Sequence, residues 1–214
     1  MIQRAAAINV KFQEIDAQAE AFPLLDSFCA VVITGSSASV PTQEKWMVRL
    51  QSFLATLVEA QVPTFGICFG HQILAEALGG KVQRNPRGRE IGSIRVTVRE
   101  SDPLLAALGT AFDANATHLD TVVTLPPNAK SLAWSELDDH QVIRFGPACY
   151  GVQFHPEFNK EIMRGYVDAR RHLIVAEGLD DIRIEANVNE GPGGTETLRA
   201  FMREFLSTEP TRAR

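Results

Sequence analysis

The apolar positions of this chain change period several times, and each change marks an element. Val10-Lys11-Phe12-Gln13-Glu14-Ile15 alternates apolar and polar, which predicts a half-buried strand. Phe28-Cys29-Ala30-Val31-Val32-Ile33 is a continuous apolar run, as in a strand covered on both faces. It runs into a loop of small residues, Thr34-Gly35-Ser36-Ser37-Ala38-Ser39. Over residues 46–60, Met47, Leu50, Phe53, Leu54, Leu57 and Val58 fall on one stripe of a helix, which we read as core packing. A short apolar run from Val62 then gives way to helical spacing, with Ile73, Leu74, Ala77 and Leu78 on one face and Gly79-Gly80 as the stop. The order strand, loop, helix, strand, helix predicts a doubly wound α/β fold. Its sheet is expected to be open and mostly parallel, with flanking helices. Such sheets bind ligands beyond the C-terminal ends of their strands.

The middle of the chain reads differently. Lys81-Val82, residues 91–98, Val122-Val123 and residues 131–134 read as short strands separated by Asn-Pro-Arg-Gly, Asp-Pro and Pro-Pro-Asn turns, a small antiparallel region. Residues 101–108 read as a short capped helix. Residues 141–145 and 149–154 read as two more strands, the second leading into His155. Residues 162–177 form a charged amphipathic helix. Gly191-Pro192-Gly193-Gly194 reads as a flexible joint before a last helix at 195–206, which buries Leu198, Phe201, Met202 and Phe205. We expect one domain over residues 1–214, with a core at about 9–160 and a helical extension at 161–214.

Composition narrows the function classes. A hydrophobic share of 45% with 22% charged residues is that of a globular chain with a sizeable core. The net charge of −5, with no long basic block, argues against a nucleic-acid partner. No apolar run approaches the roughly 18–20 residues needed to cross a bilayer, so no membrane association is expected. The first seven residues lack the apolar core of a signal peptide. Cys29, Cys68 and Cys149 give an odd count without CxxC spacing, which argues against disulfides or zinc and for a cytoplasmic location. Cys29 and Cys149 sit in strand-like surroundings and read as core.

Cys68 reads otherwise. It lies where the strand turns into the helix, between Gly66 and Gly70. A nucleophile on such a turn is held exposed in a strained backbone, and small neighbours admit substrate closely. The N–H groups and dipole of the following helix favour thiolate over thiol.

The segment Gly66-Ile67-Cys68-Phe69-Gly70-His71-Gln72 resembles the nucleophile motif of class I, triad-type glutamine amidotransferases. His155-Pro156-Glu157, within Gly151-Val152-Gln153-Phe154-His155-Pro156-Glu157-Phe158, resembles the same family's His-x-Glu motif. The likeness runs from about Phe12 to Phe158, and the tail is similar to standalone members loosely related to the amidotransferase domain of GMP synthetase. It implies the flavodoxin-like fold of that family and a triad of Cys68, His155 and Glu157. It implies backbone N–H donors for an oxyanion at Phe69 and at Ser36, where the family usually carries a second glycine after Gly35. By the same resemblance Gly35, Gln72, His118 and Asp120 line the substrate site, the last two within a segment like the family's Ser-His-x-Asp. Arg87, Arg89 and Glu90 resemble a segment near the site mouth and are candidates for specificity. His71 is a rival base by proximity, although three residues along a helix it points away from the turn. The resembling families also begin with an apolar strand and a helix ahead of residues 10–15. Only residues 1–8 precede them here, so either the chain starts late or a central strand is lost.

Hydrolysis of an unactivated side-chain amide calls for a strong nucleophile, a proton shuttle and an oxyanion site. Cys68, His155 and Glu157 supply the first two, with Glu157 orienting the imidazole. The reading that follows is hydrolysis of the glutamine side-chain amide through a γ-glutamyl thioester, releasing glutamate and ammonia. The protein acts either alone or as a glutaminase subunit whose ammonia passes to a synthetase partner. A γ-glutamyl peptide or γ-glutamyl amine hydrolase would use the same triad, and a non-catalytic regulatory domain of the same fold is a third reading. Acyl transfer to water implies no metal or organic cofactor, and no ATP-binding Gly-x-x-x-x-Gly-Lys segment is present.

Overall fold

The computed structural model describes residues 2, 4 and 10–206. In chain order its elements are β1 (Val31–Ile33), α1 (Lys45–Glu59), β2 (Thr64–Ile67), α2 (Phe69–Ala77), β3 (Lys81–Arg84), β4 (Glu90–Val98), β5 (Ala111–His118) and β6 (Asp120–Thr124). They continue with β7 (Lys130–Trp134), β8 (Val142–Gly146), β9 (Cys149–Val152), α3 (Lys160–Ala176), α4 (Asp181–Asn187) and α5 (Pro192–Leu206). Seven strands form one sheet in the order β1-β2-β9-β8-β7-β4-β5, and β3 pairs with β6 in a separate antiparallel ribbon.

The fold is α/β with flanking helices and a small antiparallel region, as the sequence predicts. Parallel pairing is narrower than expected: β1–β2 and β2–β9 are parallel, whereas β9–β8, β8–β7, β7–β4 and β4–β5 are antiparallel. The parallel end is the one built with a helical crossover, α1 between β1 and β2. β8 and β9 are joined by a short turn, which can only reverse the chain.

β2 is buried along its whole length, which explains its unbroken apolar run between two parallel neighbours. Phe65 and Ile67 point to the sheet face covered by α5, packing with Val152, Phe154, Leu198 and Phe201. Phe65 and Phe201 bring their ring centroids to 5.0 Å. The opposite face is covered by α1 through Met47, Leu50, Leu54 and Leu57, and by α2 through Ile73 and Leu74. Burying each such side chain contributes about 1.5–3 kcal/mol before entropy is counted. α2 lies tight on the sheet because Gly70 has no side chain: a β-carbon there would meet the Ile33 carbonyl oxygen at 2.3 Å. A third cluster joins Met163, Val167 and Ile174 of α3 to Ile91, Phe158 and Val188.

Several expectations are corrected. Residues 10–15 form no strand, and Phe12 is exposed. Among the described residues β1 pairs only with β2, so this segment does not take up the open edge of β1 and its alternation yields no strand. The apolar run at 28–33 yields a strand only at Val31–Ile33, behind a 3-10 turn at Leu25–Ser27. Cys29 therefore lies ahead of the strand and is exposed rather than core, while Cys149 is buried as expected. The helix expected at 101–108 is a single 3-10 turn, Pro103–Leu105, capped by Asp102 accepting from the Leu104 N–H at 3.0 Å. The joint at 191–194 is ordered: α5 already begins at Pro192, a residue suited to a first helical turn. Among the described residues, no helix is long and apolar enough to cross a membrane.

Candidate active site

The turn between β2 and α2 places Cys68 at φ 50°, ψ −99°, a conformation that costs a non-glycine residue on the order of 1–3 kcal/mol. It is held from both sides: the Cys68 N–H donates to the Val152 carbonyl at 2.8 Å, and its own carbonyl accepts from the Gln72 N–H at 3.0 Å. The sulfur thus sits at the N-terminus of α2, where the first N–H groups lack helical acceptors.

The strand neighbouring β2 leads to His155, the candidate base. β9 ends at Val152, and three residues later His155 is fixed through its backbone N–H to the Asn115 carbonyl at 2.7 Å. Its ring stacks on Phe158, centroids 4.2 Å apart and planes 16° off parallel. His155 Nδ1 lies 2.9 Å from Glu157 Oε1, which leaves Nε2 as the ring nitrogen available to the Cys68 sulfur, whose ionisation the imidazolium favours. Glu157 Oε2 has no hydrogen-bond partner among the described residues.

Electrostatics follow from that geometry. Burial pushes the Cys68 thiol up, but the charge and hydrogen bond of His155, with a smaller contribution from His118, bring it below its ordinary value. Burial pulls His155 down, yet the Cys68 thiolate and Glu157 more than offset it and hold the imidazolium up to about 10. Thiolate and imidazolium thus stabilise each other in a water-poor site. Cys149 behaves oppositely: burial with no compensating charge pushes it far up.

His71 is buried against Phe145 and Gly151, not Cys68. Burial draws it down to about 3, and the Gly151 backbone offsets only part of this. It is therefore neutral near pH 7 and part of the core.

The loop after β1 comes against His155: a β-carbon at Gly35 would stand 2.8 Å from His155 Cε1. Ser36 is not among the residues with positive φ, so serine there carries no left-handed strain, and its hydroxyl accepts from the Ala38 N–H at 3.1 Å. Ser39 Oγ donates to Asp120 Oδ2 at 2.5 Å, tying this loop to β6. Gln72 donates through Nε2 to the Asp120 carbonyl at 2.8 Å and to Gln153 Oε1 at 3.0 Å.

His118, at the end of β5, faces inward. Its Nε2 lies 2.8 Å from Glu90 Oε2 and its Nδ1 3.0 Å from the Asp120 carbonyl. Burial opposes its charge, but the Glu90 hydrogen bond and charge, then Asp138 and Cys68, raise it to about 9. Glu90 is fully engaged: Ser135 Oγ donates to Oε1 at 2.6 Å and Gln141 Nε2 to Oε2 at 2.5 Å. It thus lies beneath His118 rather than at an open mouth. Arg87 pairs with Asp139 at 3.0 Å, and Arg89 forks onto Glu177 at 2.8 and 2.9 Å, so both guanidinium groups are engaged away from the sulfur. Gln153, whose Nε2 lies 3.5 Å from Cys68 Sγ, is not singled out by the sequence. Among the described residues no cluster of three His, Cys, Asp or Glu side chains is placed to hold a metal.

The chain is similar to known proteins over most of its length. The family model described as glutamine amidotransferase class-I matches residues 2–167. "Gamma-glutamyl peptidase 5" of Arabidopsis thaliana is 33% identical over 91% of this chain and 80% of its own length. A glutamine-hydrolyzing GMP synthase subunit of Ignicoccus hospitalis is 36% identical over 61% of this chain and 67% of its own length. The solved structure of a glutamine amido transferase from Methylobacillus flagellatus superposes with a TM-score of 0.80, covering 100% of this chain and 91% of that one. Its 21% identity makes this a likeness of fold alone.

Proposed function

This chain belongs to the class I glutamine amidotransferase family, and from that premise we propose that it hydrolyses γ-glutamyl amides through a γ-glutamyl thioester on Cys68. The observation that carries the reading is the Cys68–His155–Glu157 arrangement, with Nδ1 of the imidazole 2.9 Å from the carboxylate and with the imidazolium and the sulfur each favouring the other's charged form.

In the proposed reaction the Cys68 thiolate attacks the side-chain carbonyl carbon of the γ-glutamyl group, and the carbonyl π pair moves onto oxygen. The Phe69 and Ser36 N–H groups receive that oxyanion. Collapse breaks the C–N bond, and His155 gives its proton to the departing nitrogen. Water then adds to the thioester, losing a proton to His155, and the sulfur leaves as thiolate with free γ-carboxylate as product. Glu157 keeps the imidazole oriented and stabilises its charged form throughout.

The departing nitrogen is ammonia when the substrate is glutamine and an amine when it is a γ-glutamyl peptide. The acyl half is shared. Similarity to a protein named γ-glutamyl peptidase along most of the chain supports freestanding cleavage of γ-glutamyl peptides. Similarity of a shorter span to the GMP synthase subunit supports the second reading, in which ammonia passes to a synthetase partner.

The test is release of ammonia from glutamine and of free amino acid from a γ-glutamyl dipeptide, by the purified protein alone and by its Cys68→Ser variant. Dipeptide turnover abolished by the substitution is the expected result. Glutamine turnover that needs an added synthetase favours the second reading. Activity untouched by Cys68→Ser overturns both.

A further inference from the structure

Two residues ahead of His155 the chain buries a neutral amide against the nucleophile. Gln153 has no solvent exposure, its backbone N–H is fixed to the Gln141 carbonyl at 2.9 Å, and its side chain lies against the Cys68 sulfur. We propose that Gln153 is a positioning residue for the nucleophile, donating its Nε2–H to the Cys68 thiolate in an orientation set by Gln72 and the Asp120 carbonyl.

The direction of that bond is decided by a group that cannot be reversed. A backbone carbonyl only accepts, so the Asp120 oxygen, 2.8 Å away, requires the amino end of Gln72 to face it. The same amino group lies 3.0 Å from Gln153, and two amino groups facing each other would both be unsatisfied. Gln153 therefore turns its oxygen to Gln72 and its amino group to the sulfur. The three groups come from α2, β6 and the end of β9, so the donor is braced from three elements. Ser39, bonded to the Asp120 carboxylate, adds the loop after β1 to the brace.

A thiol is a weak acceptor and a thiolate a strong one, so a donor aimed at the sulfur in a buried site favours the charged form. The charged groups acting on the sulfur are His155 and Glu157 beyond β9 and His118 at the end of β5. His155 must release its proton to the departing nitrogen, whereas Gln153 releases nothing. It remains a donor when the thioester breaks and the sulfur again takes up charge.

The experiment reads ionisation, not turnover. The full chain and its variants are treated with iodoacetamide across a pH series, and alkylation is scored on the Cys68 peptide by mass spectrometry so that exposed Cys29 does not contribute. Gln153→Leu is expected to raise the midpoint for Cys68 alkylation by about one pH unit, within the range seen when a hydrogen bond to a buried charged group is lost. Gln153→Glu, which keeps an acceptor for Gln72 but sets a second acceptor against the sulfur, is expected to raise it further. Gln72→Met, which leaves Gln153 in place without its anchor, gives a smaller rise. Thermal melts identify variants that have not folded, and Gln72→Met decides the matter should both Gln153 variants fail. An unchanged midpoint in folded variants overturns the inference. It rests on Cys68 as the nucleophile but not on the substrate. A shifted midpoint in a protein inactive on γ-glutamyl amides would sink the proposed function and leave the inference standing.

Discussion

Gly35 lies against the edge of the His155 imidazole so closely that a β-carbon at position 35 would come within 2.8 Å of Cε1. Glycine is required there by space, since its φ is not in the left-handed region. Because the ring is stacked on Phe158 at 4.2 Å, it has little room to retreat. Gly35→Ala should displace either the base or the loop that carries the Ser36 N–H. A misplacement of about 1 Å costs on the order of 10²-fold in rate. We expect kcat/KM on a γ-glutamyl substrate to fall by about that factor with a small change in Tm. A variant of unchanged rate would mean that this contact does not position the base.

The mutual dependence of Cys68 and His155 gives a pH prediction. Falling pH protonates the thiolate only below the ordinary thiol range, because the nearby imidazolium holds the thiol down. Rising pH removes the His155 proton near 10, and with it the donor for the departing nitrogen. The kcat/KM profile should be bell-shaped, with its alkaline limb near pH 10. Cys68→Ala removes the charge and bond that do most to raise His155, so its titration, followed by NMR of the imidazole, should move down. The stability that His155 lends the fold is complete below its unfolded value of 6.5 and is lost as pH rises through about 10. In Cys68→Ala that loss should begin at lower pH. An unmoved His155 titration would show that the two groups are not paired.

The buried pair of Glu90 and His118 makes a second pH claim, this time about stability. Both residues are nearly inaccessible and lie 2.8 Å apart. His118 is raised from 6.5 to about 9, so its contribution is complete below 6.5 and is lost as pH rises through about 9. Glu90→Gln keeps the shape and removes the charge, leaving the imidazolium only Asp138, 4.0 Å from its Nδ1, a loss of up to about 3–5 kcal/mol for a buried pair. The Tm difference from the parent should be largest at about pH 6 and shrink towards about pH 9. A difference independent of pH would mean that His118 is neutral in the fold.

What the sequence displays is the part of the site encoded locally. Cys68 between two glycines, at a switch from strand to helix spacing, and His155-Pro156-Glu157 after a strand are patterns a few residues long. The structure brings both together because β2 and β9 are neighbours. β5 is not legible in the sequence because Ala111-Phe112-Asp113-Ala114-Asn115-Ala116-Thr117-His118 has little strand propensity of its own. It is held by pairing along its length with β4. α4 has no buried residue to give a stripe; Arg171 of α3 reaches its Asp181 and Glu185. Glu90 reads as a specificity candidate at the site mouth beside Arg87 and Arg89, and only the β4–β5 register, pairing it with His118, turns it inward. Gln153 gains its meaning from Gln72 and Asp120, far away in the chain, which no local pattern encodes.

Thr195 offers a test of what the C-terminal helices do for the site. It lies in α5, beyond the 2–167 span matched by the family model, and its hydroxyl donates to the Pro156 carbonyl at 2.9 Å, between His155 and Glu157. The segment before α5 grips the same region: Asn115 Nδ2 donates to the Phe158 carbonyl at 3.1 Å and to the Asn189 carbonyl at 3.3 Å. α5 is thus anchored by Leu198 and Phe201 in the core and by Thr195 at the turn between His155 and Glu157. Thr195→Val keeps the shape and removes the donor, which should cost about 1 kcal/mol of stability. If the bond also holds the turn, kcat should fall severalfold while KM is unchanged, because substrate contacts are untouched but the His155–Glu157 geometry is loosened. A lower Tm with an intact kcat would confine α5 to a packing role.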